Sequence, residues 1–156
     1  MANYTDSVGF YKNSAGFPAK TNNRISLVEV KLDFGKITAA RAAAGMPALA
    51  ATDTLDVMTV KKGALVLAGG MYGDGEGTAT ATLAFGDVAS GTQFLAAQAL
   101  DAEVSVASAS TAQKFYAADT ALRATFGAAA PGNAVVTLWV VAVDTFGDLG
   151  DVPGTV

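Results

Sequence analysis

The chain has 156 residues, enough for one domain that buries about two thirds of its extended surface and folds without covalent staples. It contains neither cysteine nor histidine, which excludes disulfides, thiolate or imidazole metal sites, and the Ser-His-Asp and Cys-His mechanisms. A net charge of −4, a pI near 4.6 and the lack of clustered Lys and Arg argue against a protein that binds nucleic acid by neutralising phosphates.

Residues 1–24 are polar, rich in Asn, Gly and Ser, interrupted by Pro18 and without periodicity. No charged leader precedes an apolar stretch, so no signal peptide is expected. The segment reads as an extended arm, poorly ordered alone and ordered by a partner. Tyr4, Phe10, Tyr11 and Phe17 are its apolar anchors, and Lys12, Lys20 and Arg24 its polar contacts. The competing reading packs the aromatics back on their own domain.

Residues 25–34 alternate as a strand, with Val28, Val30, Leu32 and Phe34 inward and Glu29, Lys31 and Asp33 outward. Gly35 ends it. Residues 36–44 have helical composition, placing Ile37, Ala40, Arg41 and Ala44 on one side of a short helix that Gly45 and Pro47 terminate. A loop over 46–52 follows.

The organising stretch is 54–85. Residues 54–60 alternate as a half-buried strand, and 64–68 form an apolar run fit for a strand covered on both faces. Gly69-Gly70 suggests a bulge or close backbone approach, Gly73-Asp74-Gly75-Glu76-Gly77 a hairpin tip, and 78–85 a strand with Ala79, Ala81, Leu83 and Phe85 on one side. Thr92 is placed to cap a short helix through Leu100. Residues 101–113 suit either a short edge strand or a surface loop.

Residues 114–127 alternate as one strand, with Tyr116, Ala118, Leu122, Ala124 and Phe126 on one face. After a loop at 128–133, residues 134–143 form a strand apolar on both sides, with Trp139 as a large core element. This run is about half the length that spans a bilayer as a helix, so no membrane partner is expected. Residues 145–156 alternate Gly with Asp and read as a mobile or partner-bound tail. The division is an arm at 1–24, a domain at 25–144 and a tail at 145–156. About six or seven short strands with little helix give an all-β, two-sheet, jelly-roll-like sandwich with one or two short helices.

Chemistry is sparse. Asp74-x-Glu76 in its Gly-rich loop supplies hard oxygen ligands of the calcium type but lacks the further acidic positions of an EF-hand, so a solvated loop tip is the stronger reading; Asp148 and Asp151 repeat the idea in the tail. Asp56, Asp87, Asp119 and Glu103 could supply the two carboxylates of a histidine-free hydrolase, although aspartates beside turns are ordinary. Neither a phosphate cradle nor basic residues interleaved with stacking aromatics is present. No catalytic residue, metal or cofactor is assigned. Charged residues make up 15% of the chain, against about a quarter in ordinary soluble domains. A surface so lightly charged suits a protein that works against a partner.

The segment ITAARAAAGMPALAATDTLDVMTVKKGALVLAGG, followed by TATATLAFGD, FLAA, FYAADTALRATF and AVVTLWVVAVD, resembles small virion structural proteins of tailed bacteriophages, the head decoration or cement proteins. The resemblance implies a β-sandwich on the outer capsid surface, synthesised in the host cytoplasm, that ties down neighbouring major capsid subunits with an extended arm. It further implies self-association, as a homotrimer in the first place and a homodimer in the second. Residues 1–24 lie outside the resemblance. A carbohydrate-binding or host-attachment module is the alternative, and it predicts exposed aromatics on the folded domain, whereas most aromatics outside the arm are expected to face inward.

Overall fold

The computed structural model describes the backbone at residues 3–4, 11–12, 25–108 and 112–144, and side chains over 25–108 and 112–143. The strands are β1 (Asn3–Tyr4), β2 (Tyr11–Lys12), β3 (Ile25–Asp33), β4 (Thr54–Val60), β5 (Ala64–Asp74), β6 (Thr82–Asp87), β7 (Leu95–Ala99), β8 (Glu103–Ala107), β9 (Lys114–Phe115), β10 (Thr120–Gly127) and β11 (Val135–Asp144), with one α-helix among the described residues, α1 (Phe34–Ala43). One sheet has the order β2-β3-β11-β5-β8, with β9 also beside β5; the other has the order β1-β4-β10-β6-β7. They are called here the β11 sheet and the β10 sheet. All pairings are antiparallel except that of β1 with β4.

The two sheets face each other because their long strands β3, β4, β6, β10 and β11 carry an apolar residue at every second position. Val28, Val30 and Leu32 of β3, Val136, Leu138 and Val140 of β11 and Met71 of β5 meet Leu55, Leu83, Phe85, Leu122 and Phe126 of the other sheet in one buried cluster. At its end Phe34 and Phe126 pack edge to face, centroids 5.3 Å apart. Consecutive long strands mostly change sheet, as from β3 to β4 to β5 to β6 and from β10 to β11, so the chain winds back and forth between the two layers of the sandwich.

The predicted strand and helix at 25–44 both form, but the strand ends at Asp33 and the helix begins two residues early at Phe34, so Gly35 lies inside the helix rather than ending the strand, and Ala44 lies exposed beyond its last turn. Asp33 caps the helix, its Oδ1 accepting from Lys36 N at 3.0 Å, and Phe34, Ile37 and Arg41 are buried. The Arg41 Nε donates to the Pro47 carbonyl at 2.8 Å, so the buried cation also fastens the loop that follows.

Several sequence expectations are corrected. The Gly-rich tract at 73–77 is no hairpin tip: β5 and β6 belong to opposite sheets, and the tract is a crossover whose Gly75 takes φ +79°. The strand expected from residue 78 starts at Thr82, because Thr80 adopts φ 68° in a turn closed by Ala81 N donating to Thr78 O. Within residues 92–100, where the sequence predicts a helix, a turn leads into β7; β6 offers a free ladder, and Phe94 N donates to Phe85 O at 3.0 Å and Leu100 N to Ala81 O at 2.9 Å, which outweighs the helical preference of alanine.

The single strand expected at 114–127 is two, β9 and β10 in different sheets, and Ala118 is exposed in the crossing. Residues 64–68 are covered on one side only, with Leu65 and Leu67 half-buried. The bulge falls at Leu67, where the pairing of β11 skips from Ala68 to Val66, and the close approach falls at Gly70. The edge-strand reading holds for β8. Trp139 is not in the core: Leu138 and Val140 point inward, so period two sends the indole out, where it lies half-buried across Gly70. The expected tail at 145–156, with Asp148 and Asp151, lies outside the described residues.

Candidate docking face

The outer faces of the two sheets differ in chemistry. On the β10 sheet, Arg123 stands opposite Asp56 and pairs with it at 2.8 Å, and Thr59, Thr82, Ala121 and Thr125 occupy the neighbouring outward positions. That face is small and polar. On the β11 sheet the register builds successive outward rows, of which one aligns Ile25, Val143, Leu65 and Phe115, the next Leu27, Val141 and Ala68, and the third Glu29, Trp139 and Gly70. Ile25, Leu27 and Phe115 are 69%, 57% and 45% exposed. From strand and row spacings, these ten positions, apolar except for Glu29, cover about 330 Å², within the range of the largest exposed patch on a monomer, which is often a functional one.

The same face turns polar at its other end. There Lys31, Thr137 and Tyr72 align across β3, β11 and β5, and with Gly73, Asp74 and Val135 they line an open hollow of about 410 Å³. Thr137 is buried and Tyr72 is 46% exposed. Among the described residues most aromatics outside the arm face inward as expected, namely Phe34, Phe85, Phe94, Tyr116 and Phe126, whereas Tyr72, Phe115 and Trp139 face outward.

Behind the apolar end sits one buried carboxylate. Asp87 ends β6, and its Oδ1 accepts from Ala89 N at 2.9 Å and Ser90 N at 2.8 Å. Its Oδ2 accepts from Lys114 Nζ at 2.6 Å and Tyr116 Oη at 2.9 Å. Burial by itself pushes the Asp87 carboxyl up, but hydrogen bonds from Lys114, Ser90 and Tyr116 outweigh it and hold the group below the ordinary carboxylate value. Burial, and then the same carboxylate, push the Tyr116 phenol well above its ordinary range. The Lys114 ammonium also lies 5.5 Å from the centroid of the Tyr116 ring. Since β6 and β9 belong to different sheets, this cluster ties one sheet to the other.

The remaining carboxylates named in the sequence are dispersed. Asp56 holds Arg123 on an outer face, Asp119 holds Lys61 at 2.7 Å in an exposed turn, and Glu103 lies exposed on β8. Asp74 Oδ1 accepts from Glu76 N at 3.1 Å and Val135 N at 3.0 Å, pinning the crossover to the start of β11. Among the described residues no three acidic side chains group as metal ligands do. Of the arm candidates, Tyr4 lies in β1, paired by its backbone with Leu55 of β4, and Tyr11 and Lys12 form β2, paired with Lys31 and Val30 of β3. Phe10, Phe17, Lys20 and Arg24 lie outside the described residues.

Sequence reasoning misses the docking rows because they appear only in register. The signal is present in 134–143 and 64–68, both apolar at consecutive positions, a pattern that burial on both faces produces equally well.

No family model matches the chain, nor does any curated protein sequence. Solved structures do. A chain in the acid-stable capsid of Helicobacter pylori bacteriophage KHP30 superposes with a TM-score of 0.56 at 15% identity, over 81% of this chain and 92% of that one. A chain of the capsid asymmetric unit of cyanophage Pam1 gives 0.56 at 18%, over 83% and 90%. A chain in the capsid of Ralstonia phage GP4 gives 0.55 at 14%, over 92% and 98%. The two-sheet sandwich is therefore a fold that this chain shares, over most of its length, with proteins found in the capsids of three phages.

Proposed function

We propose that the chain is a non-enzymatic virion structural protein of a tailed phage, which binds the outer capsid surface as a decoration or cement protein and stabilises the shell by bridging major capsid subunits. The observation that carries this reading is the apolar end of the outer β11-sheet face, borne by a sandwich whose fold recurs in capsids. A patch of about 330 Å² supplies about two fifths of what each partner of a stable complex buries. Contacts from residues 1–24 and self-association into a trimer or dimer supply the remainder, and contacts opened only together add avidity without strong single bonds.

The test is to add purified protein to particles assembled without it and to measure occupancy by cryo-electron microscopy. The wild type is expected to saturate defined sites on the outer surface, and Leu27→Lys, which charges an exposed side chain without touching the core, to lose them. Wild-type protein that leaves particles bare would overturn the reading. Deleting residues 1–24 should leave a domain that unfolds cooperatively yet attaches poorly; full occupancy by the truncated protein would show that the arm is no tether.

The Tyr72 hollow favours a second reading, a host-glycan attachment site in which the exposed ring stacks on a sugar beside Lys31 and Asp74. Binding on a glycan array that Tyr72→Ala abolishes would support it.

A further inference from the structure

We infer that Asp87 is the positioning residue of the docking face: by holding Lys114 and Tyr116 from inside the sandwich, it fixes β9 against β5 so that Phe115 stands on the apolar patch to meet the partner subunit. This rests on the docking reading above and names the device that shapes its surface.

A two-residue strand has little of its own to hold it. The pairing of β9 with β5 comprises Phe115 opposite Leu65 and Lys114 opposite Val66, followed by Tyr116 N donating to Ala64 O at 2.9 Å and Gly63 N to Tyr116 O at 2.8 Å. Alternation then sends residues 114 and 116 inward and residue 115 outward. Burial agrees, with Tyr116 3% and Phe115 45% exposed. One carboxylate oxygen receives both inward flanks of Phe115, while the other is oriented by the Ala89 and Ser90 amides. The carboxylate is thus aimed by its own turn before it meets β9. Gln93, in the same turn, adds a second tie through its Nε2 to the Ala112 carbonyl at 3.2 Å.

The chemistry of asparagine separates this role from that of a simple turn cap. In Asp87→Asn the amide oxygen can still accept from Ala89 and Ser90, but the amide nitrogen cannot accept from Lys114 or Tyr116. The turn survives, the charged tie to Lys114 is cut, and Tyr116 keeps at most a neutral bond in which its oxygen accepts from the amide. Hydrogen exchange on the free protein is expected to speed up about ten- to a hundredfold at the amide of Tyr116, the loss of a charge-assisted pair, and to stay unchanged at the central amides of β10 and β11. Tyr116→Phe, which keeps the ring and removes one donor, should give a smaller rise at the same place. In the particle assay, Asp87→Asn should lower occupancy to the level of Phe115→Ala. Phe115→Ala itself should leave the exchange at Tyr116 unaltered.

Unchanged exchange at Tyr116 in Asp87→Asn, or a rise spread evenly over both sheets, would overturn the inference. So would full occupancy of Asp87→Asn on particles that bind the wild type. If wild-type protein binds no particle, the docking reading fails by itself, and the exchange experiment still decides whether Asp87 fixes β9.

Discussion

Gly70 and Trp139 show how a single position limits the face. A Cβ at residue 70 would fall inside the van der Waals envelope of the Trp139 ring and of the Val106 carbonyl, and neither can retreat, since one is packed along the sheet and the other is backbone. Gly70→Ala is therefore expected to destabilise the domain by about 1–3 kcal/mol, read as a lower urea midpoint with an unchanged slope. The glycine pair is legible in the sequence as a close approach, but its partner is not. The size of Trp139 points to the core, and only its place between Leu138 and Val140 in the ladder turns it outward. Asp87 is likewise visible in the sequence only as an aspartate beside a turn, because its two cationic and phenolic partners lie 27 and 29 residues further along the chain.

Elements show where local preference and tertiary context diverge. The helix α1 is legible at its end because the signals there are local, with Gly45 at φ +69° closing it and Ile37 and Arg41 recurring on one side, whereas Asp33 reads as an outward strand residue and is a cap only in the structure. Asp33→Ala should cost about 0.5–2 kcal/mol through the lost cap, measurable by thermal unfolding. The β6 to β9 region is governed instead by partners distant in sequence, and there an alanine-rich segment becomes a strand. Titration should report on the same region. Asp87, Asp33 and Asp119 all have carboxyls held below the ordinary value of 3.8. Their stabilisation is present above that value and is lost as the pH falls through the lowered folded values. Tyr116 has the opposite sign: its raised value stabilises the fold fully below the ordinary 10.0, and that share is lost as the pH rises above it. Urea midpoints should accordingly be level between about pH 5 and 9 and fall on both sides. In Asp87→Asn both limbs should flatten, because the variant lacks the acid group and relieves the phenol of its neighbouring charge. A midpoint that already falls between pH 7 and 5 would contradict the assignment.

For the whole molecule, the inequality of the two outer faces decides how docking should respond to solvent. A partner held by Arg123, Asp56 and the threonines of the β10 sheet would be attached through charges and hydrogen bonds, and added salt would weaken it over a Debye length of about 10 Å at 0.1 M. The rows from Ile25 to Phe115 and from Leu27 to Ala68 contain no charged side chain, so burying them gives salt nothing to screen. Occupancy on particles should vary less than about threefold between 50 and 500 mM sodium chloride and rise in sulfate, which is excluded from protein surfaces and strengthens apolar burial. Calorimetry should find a negative heat-capacity change on binding, the mark of apolar area leaving water. Introducing Lys at Leu27 is expected to reverse the prediction along with the affinity, because the ammonium must lose its hydration within an apolar row, and Glu29 two positions along β3, in the third row, adds a charge that salt screens. A steep loss of occupancy with sodium chloride in the wild type would instead transfer the docking role to the polar face of the β10 sheet, and the Arg123–Asp56 pair would be the next position to alter.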